Sequence, residues 1–215
     1  MDFDIRSSAT RTVYNLLIGL VAPRPIAWVV SRDAAGGLNA APFSSYNYLC
    51  VDPPIIGFGV SLRPGEDVYK DTALNIAANG EFTVNVVTED LLAAMNVTAI
   101  DFPAGMNELD AAGLATAPSK LIGTPRIAQA HAALECRHYQ TLEPGRGRII
   151  LGEVVSVYVE DRFIDPQGPY IKAEELHAIG RMNGLGSYVR TRDAFLHESR
   201  ISYKNWRGTH GSTDV

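Results

Sequence analysis

The sequence predicts a mostly β fold, an antiparallel barrel with α-helices packed against its outside. Three observations support this prediction. Apolar runs of strand length recur along the chain, the last two flank the turn sequence Glu-Pro-Gly-Arg-Gly, and short helical patterns lie between the strands. This order of elements is typical of a closed sheet whose helices stay peripheral.

The strands are recognised by apolar runs that end at turn residues. The first run is followed by Asp33-Ala-Ala-Gly-Gly37, where both glycines are expected to adopt positive backbone dihedrals. In a later run, positions 82, 84 and 86 alternate with more polar neighbours, which indicates a half-buried strand. The predicted strands cover 26–30, 55–61, 82–87, 130–142 and 148–160, and the last two form a long hairpin.

Helical signals lie between these strands. Asp71 or Thr72 is suited to cap a helix that ends at Gly80, which supplies a left-handed stop. Thr88 precedes a second helical pattern with acidic residues in its first turn, where the helix dipole favours them. A short helical piece is predicted for 107–112.

Length and composition favour one domain over residues 1–215. The chain has 215 residues, of which 46% are hydrophobic and 20% charged, enough to bury a substantial core. The formal net charge of -5 argues against a nucleic-acid partner, which needs clustered Lys and Arg. The nearest approach to a cluster is Arg146 with Arg148, which we expect to flank the hairpin turn.

Cysteine usage and the N-terminus favour a reducing, cytoplasmic setting. Cys50 and Cys136 form no CxxC and no Cys/His cluster, so neither a metal site nor a structural disulfide is expected. The first residues carry acids rather than the basic start of a secretory signal, and no apolar run is long enough to span a membrane.

The segment after the Gly-Gly turn is the least ordinary part of the chain. Small and hydroxyl residues follow one another from Asn39 to Ser45, which lets backbone amides approach a flat ligand with polar edges. Phe43 and Tyr46 offer ring faces nearby. The alternative is that a strand pair simply turns here, with Ser and Asn as turn residues.

This segment resembles the flavin reductase-like family of FMN-binding split-barrel proteins. Its members have a similar strand followed by the series G-x-x-N-A-A-P-F-S and D-P-P. The resemblance covers about residues 20–190. It continues in register through Lys70-Asp-Thr72 with Asn75-Ile76, Gly80-Glu-Phe with Val84-Asn85, Asn107-Glu-Leu with Ala112-Gly-Leu114, Leu134-Glu-Cys136, Gly152-Glu-Val154, and Gly180-Arg-Met with Gly184.

The resemblance implies a six-stranded antiparallel Greek-key split barrel that forms a homodimer, with FMN at or near the subunit interface. It also implies flavin reduction by hydride transfer from NADH or NADPH, with reduced flavin passed to a separate flavin-dependent monooxygenase. Two alternatives stay open. One is an electron carrier that keeps FMN tightly bound, and the other is a barrel that binds a different planar ligand or only a partner.

The resemblance also directs attention to residues suited to FMN. The phosphate needs cations, hydroxyls and free amides, which Ser61, Arg63, Lys70, Asp71 and Thr72 offer around a predicted helix start. Alternatively, the basic residues are ordinary solvated charges. For the ring edge and walls the candidates are Ser31, Asn39, Ala40, Ala41, Pro42, Phe43 and Ser44, with Trp28 as either a wall or a core residue.

The Gly-rich segment 180–188 adds Arg181 and Tyr188 as candidate contacts to the flavin or the substrate, the alternative being a plain turn. It is no dinucleotide fingerprint, because Val189 stands where the third glycine would be. No catalytic residue is assigned, since hydride transfer needs orientation more than an acid or base. His131 and His138 are expected on opposite faces of one strand. The tail 206–215 is expected to be disordered or to clasp a partner subunit.

Overall fold

The computed structural model describes residues 1–63, 65–103, 105–184, 186–195, 197, 202, 203, 205 and 206. Two short 3-10 helices, Glu89–Leu91 and Asp161–Phe163, accompany the longer elements. The helices are α1 (Thr10–Leu20), α2 (Asp71–Asn79), α3 (Leu92–Val97), α4 (Glu108–Ala111) and α5 (Ala173–Leu176). The strands are β1 (Ala27–Arg32), β2 (Leu38–Phe43), β3 (Tyr46–Val51), β4 (Pro54–Val60), β5 (Glu81–Val86), β6 (Thr116–Ala117), β7 (Arg126–Ile127), β8 (Ala132–Leu142), β9 (Arg148–Val159), β10 (Ile179–Arg181) and β11 (Tyr188–Arg190).

The main sheet is antiparallel and curls back on itself. Its strand order is β2-β1-β5-β8-β9-β4-β3, yet β2 and β3, at the two ends of this order, are separated in the chain only by Ser44 and Ser45. The amide of Gly59 in β4 donates to the Ser45 carbonyl at 2.9 Å, which continues the β3–β4 pairing into the bend. The predicted antiparallel barrel with peripheral helices is therefore confirmed. Seven strands stand where six were expected, because the bend at Ser44 and Ser45 divides one strand into two.

The hairpins follow the predicted turns, with one difference at the first. Gly36 has a positive φ of 94°, whereas Gly37 does not, so the expectation is confirmed for Gly36 and wrong for Gly37. A side chain at Gly37 would instead place its Cβ 2.6 Å from Asp33 Oδ2, a carboxylate that also accepts from the Gly37 amide through Oδ1. The Asp33 carboxylate, which accepts from the Ala35 and Gly37 amides, would have to shift to admit a side chain at 37, and this close approach favours glycine there. The β8–β9 hairpin forms as predicted.

The sequence predicted where the helices lie more accurately than which residues cap them. Gly80 ends α2 with a φ of 69°, as predicted, but the N-cap position is occupied by Lys70 rather than Asp71 or Thr72, without a side-chain cap. Asn107 caps α4 by accepting from the Leu109 amide at 3.1 Å. Helix α1 was not predicted, and it buries none of its own residues.

Strand β1 divides the interior into two apolar clusters. Its alternate residues point to opposite faces, so Trp28 and Val30 belong to one cluster, and Ala27 and Val29 to the other. Trp28 is fully buried and donates from Nε1 to Thr98 Oγ1 at 2.9 Å. It is therefore a core residue.

Among the described residues, no helix has the length and apolar character needed to cross a membrane. Within the same residues, no three His, Cys, Asp or Glu side chains are grouped so as to hold a metal ion. Cys50 is exposed, Cys136 is buried, and both are free thiols.

Candidate functional site

Three cavities share the side chain of Pro42, in β2, as part of their lining. We call them the polar pocket, the Arg181 pocket and the helix groove. The polar pocket is lined by Asn39, Ala41, Pro42, Phe43, Arg63, Lys70, Asp71, Thr72, Glu108 and residues 98–102. The Arg181 pocket is lined by Tyr14, Ile18, Arg24, Ile26, Pro42, Ser44, Met95, Asn96, Ala99, Arg181, Gly184 and Tyr188. The helix groove runs between α1 and the barrel past Pro42, Phe43, Ser44, Ser45, Gly59, Ser61, Lys70 and Arg148.

The polar pocket brings cations and carboxylates together at the start of α2. Arg63 Nη2 lies 2.5 Å from Asp71 Oδ1, and Lys70 Nζ lies 3.1 Å from Asp101 Oδ1. The hydrogen bond from Arg63 to Asp71 is the main cause that raises the pKa of the guanidinium above its usual value. The side chain of Asp101 is 63% exposed, so its pairing with Lys70 is a weak, solvent-screened contact.

A buried carboxylate in the lining of the polar pocket holds β2 in place. Glu108 is 7% exposed, and its two oxygens accept from Asn39 Nδ2 at 2.7 Å and from the Ala40 amide at 3.0 Å. Burial is the main cause that raises the pKa of this carboxyl group above its ordinary value. Asn39 Oδ1 in turn accepts from Thr72 at 2.7 Å and from Ser31 at 3.3 Å. Two donors that the sequence offered to the flavin edge are thus bonded within the chain.

The predicted cofactor residues therefore separate into two groups. Ser31 and Ala40 are fully buried and line none of the three cavities, so they support the strand from within. The remaining candidates reach a cavity wall, mostly on the polar pocket and the helix groove: Asn39, Ala41, Pro42, Phe43, Ser44, Ser61, Arg63, Lys70, Asp71, Thr72, Arg181 and Tyr188.

The Arg181 pocket is built where the C-terminal strands meet the barrel. In the β10–β11 hairpin Arg181 pairs with Tyr188, and its guanidinium carbon lies 4.6 Å from the centre of that ring. The Tyr188 hydroxyl donates to Asn96 Oδ1 at 2.8 Å. The backbone of Arg181 exchanges hydrogen bonds with that of Arg24, which joins this hairpin to the start of the barrel.

Arg24 and Glu108 are site residues that sequence reasoning did not assign. Arg24 is 9% exposed and donates to the carbonyls of Ile18, Val21 and Met182 at 2.6 to 2.8 Å. Glu108 stood inside the matched Asn107-Glu-Leu piece, which was a signal for it. The sequence did not mark Arg24, because α1, whose C-terminal carbonyls it binds, was not predicted and Met182 lies 158 positions away.

His131 and His138 line none of these three cavities. His131 Nδ1 is 2.8 Å from Glu160 Oε1, and its Nε2 is 3.4 Å from Asp90 Oδ2. His138 Nε2 bonds Thr141 Oγ1 at 2.8 Å. The strand-parity argument does not apply to the pair, because His131 precedes β8 and the β8–β9 register shifts between Glu135 and Cys136. Of the tail, 207–215 lies outside the described residues.

A family model described as "Flavin reductase like domain" matches residues 20–173, and the chain belongs to this family. The resemblance found in the sequence is confirmed. An uncharacterized protein of Deinococcus radiodurans is 41% identical over 210 residues, covering 95% of this chain and 92% of the relative.

Solved structures agree with this assignment. Nitrilotriacetate monooxygenase component B from Bacillus cereus is 30% identical with a TM-score of 0.86, covering 92% of this chain and 98% of that chain. The 2-nitrobenzoate 2-nitroreductase of Pseudomonas fluorescens is also 30% identical, with a TM-score of 0.84, and 94% and 98% of the two chains are covered. A flavoredoxin of Desulfovibrio vulgaris, at 18% identity and a TM-score of 0.74, shares the fold.

Proposed function

From this membership of the flavin reductase-like family, we propose that the protein binds FMN where the helix groove and the polar pocket join, and reduces it with NADH or NADPH. The observation that carries the proposal is the convergence around Pro42 of Ser61, Arg63, Lys70 and Thr72 with the apolar ring of Phe43. These side chains come from β2, from the segment after β4 and from α2.

The donor set fits a phosphate monoester. Two cations and the Ser61 hydroxyl lie beside the N-terminus of α2, whose first amides have no intrahelical partner and favour an anion. The Thr72 hydroxyl donates its hydrogen to Asn39, so Thr72 would offer its backbone amide rather than its hydroxyl. A phosphate would replace Asp101 as the partner of Lys70, an exchange that costs little because Asp101 is exposed. Each charge-assisted hydrogen bond is worth about 1.5–3 kcal/mol.

The flavin ring is proposed to lie along β2 in the helix groove. This cavity has a volume of about 680 Å³, within the range of about 300–1,000 Å³ that is typical of ligand sites. Pro42 and Phe43 supply apolar surface, and the Ala41 amide and Ser44 hydroxyl are the candidate polar contacts. Asn39 and Ala40 act indirectly, because Glu108 and Thr72 fix the strand through them.

When bound, FMN supplies the redox chemistry by accepting a hydride from the nicotinamide. The protein contributes binding, orientation and exclusion of water, and no side chain acts as an acid or base in this proposal. Similarity to component B of a two-component monooxygenase supports the delivery of reduced flavin to a separate oxygenase. The two free thiols are consistent with a cytoplasmic setting, which is part of the proposal.

The proposal includes a homodimer that covers α1 and the edge strand β3. Helix α1 buries none of its residues, and Leu17 and Leu20 are 55% and 80% exposed. On β3, Tyr48 and Val51 are 71% and 79% exposed. Apolar surface of this extent is typical of a protein interface. Light scattering on the purified chain should give twice the mass of one chain, and a monomer would contradict this part.

The test is the double substitution Arg63→Ala with Lys70→Ala. We expect FMN affinity to fall at least tenfold, because two phosphate contacts are lost, while the circular dichroism spectrum stays unchanged. A matched control, Arg162→Ala with Lys172→Ala, removes two cations that line none of the three cavities and should leave affinity unchanged. Equal affinity in the test variant and wild type would refute the phosphate site. Anaerobic bleaching of the flavin by NADH or NADPH distinguishes a reductase from an electron carrier.

A further inference from the structure

We propose that the Arg181 pocket binds a small aromatic carboxylate, a single ring carrying an ionised acid group, as a second ligand beside the flavin. The proposal rests on the proposed function only in placing FMN in the neighbouring cavities. Three observations carry it: the charges in the pocket, the unoccupied donors of Arg181, and the size and lining of the cavity.

The pocket has an excess of positive charge. Both Arg24 and Arg181 line it, and no Asp or Glu stands among its described lining residues. Arg24 is 9% exposed, and all its bonded partners are neutral: three backbone carbonyls and, at 3.5 Å, the Ser44 hydroxyl. Carbonyls satisfy its N–H groups but do not cancel its charge, and a guanidinium stays charged in proteins. A buried cation without a counter-ion favours entry of an anion.

Arg181 is the residue placed to contact that anion directly. Within the described part of the chain, its guanidinium makes no hydrogen bond and no ion pair, and it lies over the ring of Tyr188. Arg24, by contrast, has already committed most of its donors to α1 and Met182. A carboxylate matches the planar N–H edge of a guanidinium and binds it with two parallel hydrogen bonds. Arg181 therefore binds the acid group, and the positive charge of the buried Arg24 attracts it electrostatically.

The rest of the lining fits one aromatic ring. Ile18, Ile26 and Met95 offer apolar surface, and Tyr14 and Tyr188 offer ring faces. The cavity volume is about 270 Å³, just below the range of about 300–1,000 Å³ that holds drug-sized ligands. This favours a single-ring acid over a whole dinucleotide. Five of its described lining residues also line the helix groove: Tyr14, Ile18, Arg24, Pro42 and Ser44. The ring would therefore lie directly beside the flavin.

The experiment compares 4-fluorobenzoate with 4-fluorobenzamide by fluorine NMR, using the full chain with and without FMN. The two probes match in ring and size but differ in charge. We expect the acid to bind at least fivefold more tightly than the amide, with or without FMN. Arg181→Gln should weaken binding of the acid at least tenfold. The control Arg190→Gln alters a neighbouring arginine that pairs with Glu89 outside the pocket and should change nothing.

Three results would overturn the proposal: equal affinity for the acid and the amide, full affinity in Arg181→Gln, or displacement of the acid by FMN. The comparison of probes on the wild-type chain needs no variant, so it decides the matter even where Arg181→Gln does not fold. Loss of the flavin site is separately visible. If FMN fails to bind while the acid still binds through Arg181, the proposed function fails and this inference stands.

Discussion

The polar pocket and the Arg181 pocket both adjoin Pro42 of β2, but their cations differ in whether they are paired with acids. In the polar pocket each cation has a carboxylate within reach, Asp71 for Arg63 and Asp101 for Lys70. In the Arg181 pocket two arginines stand without any described acid among the lining residues. With Glu108 also in its lining, the first has no excess of positive charge before a ligand arrives, whereas the second does.

This difference predicts how much free energy an anionic ligand gains on binding to each pocket. A ligand of the polar pocket must displace an existing ion pair, so its binding energy is reduced by the pair it breaks. An anionic ligand of the Arg181 pocket has no ion pair to displace, because the two arginines have no acid beside them among the described lining residues. Arg24 shows that a cation can be kept there for structural reasons, since its carbonyl bonds hold α1 and the segment after β10 against the barrel.

The largest expected effect comes from removing the three hydrogen bonds that Arg24 donates to the carbonyls of Ile18, Val21 and Met182, which we call the Arg24 clamp. Arg24→Met leaves three carbonyls without their donor, and we expect the free energy of unfolding to fall by about 3 kcal/mol. Because α1 buries no residue of its own, its amides should also lose hydrogen-exchange protection. Urea unfolding and exchange mass spectrometry measure both. The exposed Arg11→Met on α1 is the control, and protection of α1 unchanged in Arg24→Met would contradict the clamp.

A smaller effect is expected at Glu108, in the lining of the polar pocket. Glu108→Gln offers one carbonyl to two buried donors, so the free energy of unfolding should fall by about 1.5 kcal/mol at pH 7. Since burial raises the native pKa above the ordinary value of 4.5, the folded wild type keeps a proton that the unfolded chain releases just above pH 4.5. Wild-type stability from this group therefore falls as pH rises through that window.

The wild type should accordingly exceed Glu108→Gln in stability by more near pH 4.5 than at pH 7. Urea unfolding at both pH values measures the difference. Asp110→Asn, an exposed acid on the same short helix, serves as control. A difference that grows with rising pH would show that the carboxyl group titrates in the opposite sense.

The smallest expected effect comes from leaving a cation of the polar pocket unpaired, as the arginines of the Arg181 pocket are. Asp101→Asn removes the counter-ion of Lys70, so FMN affinity should rise about two- to fivefold, since the phosphate no longer competes with a carboxylate. The free energy of unfolding should change by less than about 0.5 kcal/mol, as is usual for an exposed pair. Flavin fluorescence titration gives the affinity. Weaker binding in this variant would place the phosphate away from Lys70.

The sequence by itself determined what depends on neighbours in the chain. Alternation in β5, the Gly80 stop of α2 and the β8–β9 hairpin were all readable, because each rests on dihedral preferences or on the period of a strand or helix. Candidate residues of the polar pocket and helix groove, such as Ser44, Arg63 and Lys70, were named instead through the family resemblance, from short stretches around the first hairpin and the start of α2.

Only the tertiary structure decided which polar groups are already used. Glu108 takes the Ala40 amide from 68 positions away, and Arg24 reaches Met182 across 158 positions. No local pattern specifies such a partner, because a side chain of given chemistry can pair with any complementary group that the fold brings near. Folding thus turned Asn39 and Ala40 from free donors into bonded ones. It also left Arg181 facing a cavity that has no acid among its described lining residues.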